Sequence, residues 1–144
     1  MNIGEICSRN LVSAPAAARL ADVAQLMRSE HVGIVVITKA PLDQPVAVGV
    51  ITDRDLVRAQ VERADFERLH AEDVMTREPL VLCEDLALAE AIERMRARAV
   101  RRAPVVNTHG MPIGIVSTDD LIGELARELR SLASLLERQP RREH

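Results

Sequence analysis

Leu20, Val23, Ala24 and Met27 recur at i, i+3, i+4 and i+7, which predicts an amphipathic helix over residues 19–29. Residues 33–38 form an apolar run too short and too β-branched for a helix, so they predict a buried strand. A turn-rich stretch with Pro41, Asp43 and Pro45 follows. A second strand then spans Val46–Thr52, and a helix at 53–61, with Leu56, Val57 and Val61 as its apolar residues, closes the unit. A short lead at 3–9 and an extended piece at 11–13 precede the first helix.

The second half repeats this plan. Residues 79–82 are extended, and Leu88, Ala91, Ile92 and Met95 give the same helical stripe, with Asp85 as candidate N-cap. Strands follow at 103–106 and Pro112–Ser117. A shift of 68 positions lays Ile6 on Val74, Arg9 on Arg77, Leu20 on Leu88, Met27 on Met95 and Val32 on Val100. From Gly49 onward the shift is 65, and the difference falls in a turn. The expected organisation is repeat one at 1–62, a polar link at 63–70 within a broader polar stretch of 60–70, repeat two at 71–130, and an extended helix with a charged tail at 131–144. In the last helix Leu121, Leu125, Leu129, Leu132 and Leu136 lie 4, 4, 3 and 4 apart, near a heptad seam. Such a seam packs either on its own domain or on a second subunit.

The most similar stretches are Gly49-Val50-Ile51-Thr52-Asp53-Arg54-Asp55-Leu56 and Gly114-Ile115-Val116-Ser117-Thr118-Asp119-Asp120-Leu121. Each predicts a strand running directly into a helix. Free backbone N–H groups and the positive end of the helix dipole then follow the hydroxyl, a geometry that favours an anion such as phosphate. The carboxylate three residues on suits the paired hydroxyls of a ribose. The same spacing is close to a capping box, with Asp in place of Glu or Gln. Two copies in one context raise the binding reading without removing the capping one.

Composition narrows the function classes. Nineteen Lys and Arg against 22 Asp and Glu leave a net charge of −3, which argues against general nucleic-acid binding. Phe66 is the sole aromatic, so the core must be aliphatic and no platform exists for stacking single-stranded bases. Cys7 and Cys83 form no CxxC pair and suit reduced thiols of the cytoplasm. The four His show no ligand spacing, so no metal site is expected. Neither a signal peptide nor an apolar run of membrane-spanning length is expected.

The doubled unit resembles the CBS domain pair, or Bateman module, over nearly the whole chain. Met75-Thr76-Arg77 before a Pro, His31-Val32-Gly33-Ile34-Val35-Val36 and Val100-Arg101-Arg102-Ala103-Pro104-Val105-Val106 add to the likeness. The resemblance implies an α/β (α+β) fold of two β-α-β-β-α repeats. Their small sheets pack in a pseudo-twofold module with helices outside, and two clefts lie between them. It implies adenosine-containing ligands: AMP, ADP or ATP, with S-adenosylmethionine or NAD(H) as alternatives. The Asp would take the ribose hydroxyls, and the Thr or Ser would approach the phosphate. One site would use Thr52, Arg54 and Asp55 with Leu80, Val100 and Arg101. The other would use Ser117, Thr118 and Asp120 with Val12, Val32, Gly33 and Ile34. Arg101 and Arg102 match a basic pair facing phosphates, and they read equally well as a solvated surface pair.

No Ser-His-Asp, Cys-His or P-loop constellation is present, so a non-catalytic regulatory module is expected. It would be a homodimer that signals to an effector protein by a change of shape or oligomer, with no nucleic-acid or membrane partner. The alternative is a scaffold with empty clefts whose role is dimerisation.

Overall fold

The computed structural model describes residues 1–39, 44–62 and 65–138. The turn with Pro41 and Asp43, and the tail from residue 139, lie outside the described residues. The elements run α1 Ile3–Ile6, β1 Ser13–Pro15, α2 Leu20–Glu30, β2 Ile34–Lys39, β3 Val46–Thr52 and α3 Asp53–Glu62. A 3-10 turn at Phe66–Arg68 leads into α4 Ala71–Val74, β4 Thr76–Arg77, β5 Leu82–Cys83, α5 Leu88–Arg98, β6 Arg102–Val106, β7 Pro112–Ser117 and α6 Thr118–Glu137.

Two small sheets result. In the first, β1 lies parallel to β2, β2 antiparallel to β3, and β3 antiparallel to β4. In the second, β5 is parallel to β6 and β6 antiparallel to β7. Short parallel β1 and β5 return through a helix, whereas β2–β3 and β6–β7 are hairpins.

Alternation along the central strands separates two kinds of core. Val35 and Ile37 of β2 join Leu20, Val23 and Met27 of α2 in one cluster. Ala103 and Val105 of β6 join Ala91 and Met95 of α5 in another. Ile34, Val36, Pro104 and Val106 are also buried yet belong to neither cluster. They point to the opposite sheet face, as period-two geometry requires, and that face is where the repeats meet.

The lead segments are exchanged. Ser8 and Ile115 trade backbone hydrogen bonds of 2.9 Å in both directions, so the lead of repeat one edges the sheet of repeat two. Thr76 and Arg77 pair reciprocally with Val50 and Gly49 of repeat one. Ile3 accordingly sits in the second repeat's core, and Met75 in the first's.

Three expectations need correction. Helix α5 starts from Ala87, which gives no side-chain cap, because Leu86 N–H bonds the Cys83 carbonyl in a turn and delays the helix past Asp85. The extended piece pairs at Ser13–Pro15 rather than 11–13, since Leu11 N–H turns back onto the Arg9 carbonyl. The stretch between repeats is not simply polar. Leu69 is buried, Phe66 packs on the first core, and the Leu69 carbonyl accepts from Leu20 N–H at 2.8 Å.

Candidate functional site

Each hairpin delivers its last strand straight into a helix. At the first turn Asp55 N–H donates to Thr52 Oγ1 at 3.3 Å, and Thr52 N–H donates to Asp55 Oδ2 at 2.9 Å. At the second, Asp120 N–H donates to Ser117 Oγ at 3.2 Å, and Ser117 N–H donates to Asp120 Oδ2 at 2.9 Å. Both are reciprocal capping boxes, so one carboxylate oxygen of each Asp is engaged in holding its turn. A carboxylate has acceptor capacity left on the other oxygen.

A second bond ties each turn to the start of its own central strand. Asp53 N–H donates to the Gly33 carbonyl at 3.0 Å, and Thr118 N–H to the Arg101 carbonyl at 2.8 Å. Thr118 Oγ1 also reaches the Arg101 carbonyl, at 3.1 Å. Gly33 and Arg101 thus hold equivalent places in the two repeats.

The repeats come together at Arg102. A Cβ on Gly33 would stand 2.7 Å from Arg102 Nη1 and 3.3 Å from Asp53 Oδ2. The guanidinium of repeat two therefore lies over the Gly33 backbone of repeat one, beside the Asp53 carboxylate.

Each motif Asp also faces a small cleft walled by the other repeat's lead. Asp55 lines one of about 170 Å³ with Arg58, Ala59, Glu62, Asp73 and Val74. Asp120 lines one of about 250 Å³ with Glu5, Ile6 and Glu124 among its neighbours. Glu5 and Asp73 are equivalent under the shift of 68, as are Ile6 and Val74. These walls were readable only as matching acidic–apolar pairs in the two leads. Glu124 is buried and bonds Arg127 Nη1 at 2.8 Å.

The other expected residues are more dispersed. Arg54 is exposed, and its N–H bonds Asp53 Oδ1 at 2.9 Å. Val12 is buried and its carbonyl accepts from Val36 N–H at 3.0 Å. Val32 packs against the first core, and Leu80 and Val100 against the second. Ile34 is buried on the inter-repeat face and pairs with Thr52. The bonds thus link Gly33 to Asp53 and Arg101 to Thr118 within repeats, while the Arg102 side chain lies across at Gly33.

Burial pushes the Cys7 thiol above its ordinary range, against the opposing pull of Arg9. Among the described residues, no three His, Cys, Asp or Glu side chains are disposed to hold a metal ion. None of the described helices is long and apolar enough to cross a membrane.

Comparison with known proteins gives this geometry a family. The CBS domain model matches residues 3–62 and again 71–127. An uncharacterized protein of Methanopyrus kandleri is 31% identical over 123 residues, covering 85% of this chain and 61% of that protein. A 17.7 kDa protein of Acidianus ambivalens is 31% identical over 71% of this chain and 59% of its own length. The chain thus spans about three fifths of the length of these curated relatives. Among solved structures, a CBS domain protein of Pyrobaculum aerophilum complexed with AMP superposes with a TM-score of 0.75 at 29% identity, over 88% of this chain and 99% of that one. A CBS domain pair in complex with 5′-methylthioadenosine and S-adenosyl-L-methionine superposes with a TM-score of 0.75 at 20% identity, over 89% and 98%, a likeness of fold. With both repeats matched and their leads exchanged across a shared face, the chain belongs to the CBS domain family, as a tandem pair.

Proposed function

We propose that this CBS pair is a non-catalytic regulatory module that binds an adenosine-containing nucleotide of the AMP, ADP or ATP type. The observation that carries the reading is the doubled strand-to-helix turn, each copy closed by a reciprocal capping box that leaves a carboxylate oxygen of Asp55 and Asp120 over, with Arg102 of repeat two set against Gly33 beside the first turn. The AMP complex of the Pyrobaculum aerophilum relative supports the ligand class. In this reading the free carboxylate oxygen takes the ribose hydroxyls and the N–H groups of the turn face phosphate. Thr52, Arg54 and Asp55 serve one site with Leu80, Val100 and Arg101. Ser117, Thr118 and Asp120 serve the other with Val12, Val32, Gly33 and Ile34. Arg102, poised at Gly33 and Asp53, supplies charge between them. Adenine is held by aliphatic side chains and backbone. The module works in the cytoplasm as a homodimer and passes ligand occupancy to an effector protein through a change of shape or oligomer.

Thermal unfolding against AMP, ADP, ATP, S-adenosylmethionine and NADH tests this. Ligand at 100 times its dissociation constant stabilises by about 2.7 kcal/mol, a shift of several degrees. Asp55→Ala with Asp120→Ala abolishes the shift. Each Ala change also removes a cap worth about 1 kcal/mol, so the baseline falls. Asp55→Asn and Asp120→Asn keep an acceptor for the cap and separate the two effects. Full binding by the Ala pair would remove these carboxylates from the site. A chain that answers to none of the ligands is a dimerisation scaffold, in which the capping bonds are the whole role of the two Asp residues.

A further inference from the structure

We propose that the far end of the first sheet holds a separate ligand site, for a small aliphatic monocarboxylate. The site goes beyond the nucleotide reading and does not depend on it. A cavity of about 630 Å³ opens there, lined by Lys39, Ala47, Val48, Met75, Arg77 and Glu78. Val48 lies near the start of β3 and Thr52 at its end, about 13 Å on at roughly 3.3 Å per residue, so the cavity is set off from the first turn.

An overhang makes the space. The β2–β3 ribbon runs on to the pair Lys39–Val46, whereas β4 covers β3 only at Gly49 and Val50. Past Arg77 the chain leaves the sheet at Glu78, whose φ of 49° is a left-handed value that a residue with a side chain adopts at a cost. Arg98 Nη2 donates to the Glu78 carbonyl at 2.8 Å and holds that bend. Arg77 Nη2 is tied to the Glu72 carbonyl at 3.0 Å.

The second repeat does not copy this arrangement. Asn107 stands where Lys39 does, and its Oδ1 accepts from the His109 and Met111 N–H groups to close the hairpin there. Asn10, the counterpart of Glu78, has no positive φ. Of the three charged residues at the cavity, only Arg77 has a charged counterpart, Arg9. A charge set and a backbone bend confined to one repeat are not explained by the duplicated fold.

The lining selects the ligand. Met75 is buried and Val48 packs on the first core, so the floor is apolar. Lys39 and Arg77 stand against the Glu78 carboxylate, and among the described residues none of the three is in an ion pair. A surplus of one positive charge beside an apolar floor suits a single carboxylate on a hydrocarbon body. Glu78 works against a second negative charge, as on a phosphate monoester. Lys39 is the only lysine among the 19 basic residues of the chain. Its ammonium is a point charge on a flexible stem that can follow a carboxylate and cover apolar surface, while the Arg77 fork is held.

Lys39 also supplies the test. Reductive methylation of the full chain with isotope-labelled formaldehyde marks Lys39 and the Met1 amine and keeps both charges. Lys39→Gln identifies its resonance by removing it. Octanoate is the probe. The expected result is a saturable shift of the Lys39 methyl resonance at millimolar octanoate, with the Met1 resonance unmoved. Octanol, which lacks the charge, and octylamine, which reverses it, leave Lys39 unmoved. Arg77→Gln keeps a donor for the Glu72 carbonyl and weakens octanoate by about tenfold. Glu78→Gln strengthens it. No saturation at Lys39, or an equal response to octanol, overturns the site. An affinity unchanged by both substitutions overturns the charge selection. The same Lys39 shift with AMP makes the cavity part of a nucleotide site and overturns its separateness. Thermal shifts with nucleotide on the same samples test the preceding reading, so either can fail alone.

Discussion

Gly114 lies against the backbone of Ser8, and a Cβ on it would stand 2.5 Å from the Ser8 carbonyl oxygen and 2.9 Å from Cys7 Sγ. Gly49 holds the equivalent place in the other repeat, where a Cβ would run into the Met75 side chain. The opening glycine of each motif is therefore there to admit the other repeat's lead strand.

The two glycines differ in what would have to move. Gly114→Ala meets backbone that is pinned by hydrogen bonds in both directions, and a cost of about 1–3 kcal/mol is expected. Gly49→Ala meets a flexible thioether that can repack, so its cost is smaller. Urea midpoints of the two variants check the order. Equal losses would mean that Met75 is held as firmly as the Ser8 backbone.

The exchanged leads also show where sequence reasoning stops. Helices α2 and α5 were legible because four apolar residues at helical spacing must share a face. The bounds of β3 and β7 were legible because β-branched runs end at Thr52 and Ser117. The capping bonds followed from a spacing of three. The pairings Ser8–Ile115 and Thr76–Val50 were not legible in the pattern, since strands one or two residues long carry no period and their partners lie a repeat away. For the same reason nothing in the local sequence placed Arg102 over Gly33. Leu121 and Ile122 are both apolar neighbours, and only the packing of the helix on β7 decides which one is buried.

Arg102 is exposed and reaches across the repeats to Gly33, so little of its contribution is to folding, and the proposed function gives it a phosphate to meet. Arg101→Ala with Arg102→Ala is expected to change stability by no more than about 0.5 kcal/mol. The same change lowers affinity for a phosphate-bearing ligand by about tenfold or more for each guanidinium–phosphate bond removed, at roughly 1.5–3 kcal/mol each. Titrations at low and high salt measure it, with a weaker salt dependence in the variant. An unchanged affinity would make the two arginines a solvated surface pair.

Ala99 ends α5 in the left-handed region, with φ of 53°, and His31 ends α2 with φ of 55°. Both are side-chain-bearing residues at a C-cap that glycine occupies at least cost. Ala99→Gly is expected to raise stability by about 1 kcal/mol, since it relieves the left-handed strain of about 1–2 kcal/mol but adds freedom to the unfolded chain. Denaturant unfolding reads the sign directly. A loss on substitution would mean that the methyl group packs usefully where the helix meets β6.

Cys7 contributes a pH dependence of its own. Burial holds its thiol above the ordinary value of 9.0 in the folded chain, with Arg9 opposing in part. A thiol is neutral when protonated, so between the unfolded and folded values the native state keeps a proton that the unfolded chain has lost. Stability from this group is complete below about pH 9 and falls as pH rises through the folded value. Urea midpoints from pH 8 to pH 10 are expected to decline more steeply for the wild type than for Cys7→Ala. The thiol should also react more slowly with an alkylating reagent at pH 8 in the folded chain than in urea. Parallel pH curves for the two proteins would show that the packing of Cys7 against Gly114 leaves the thiolate solvated, and that the fall comes from other groups.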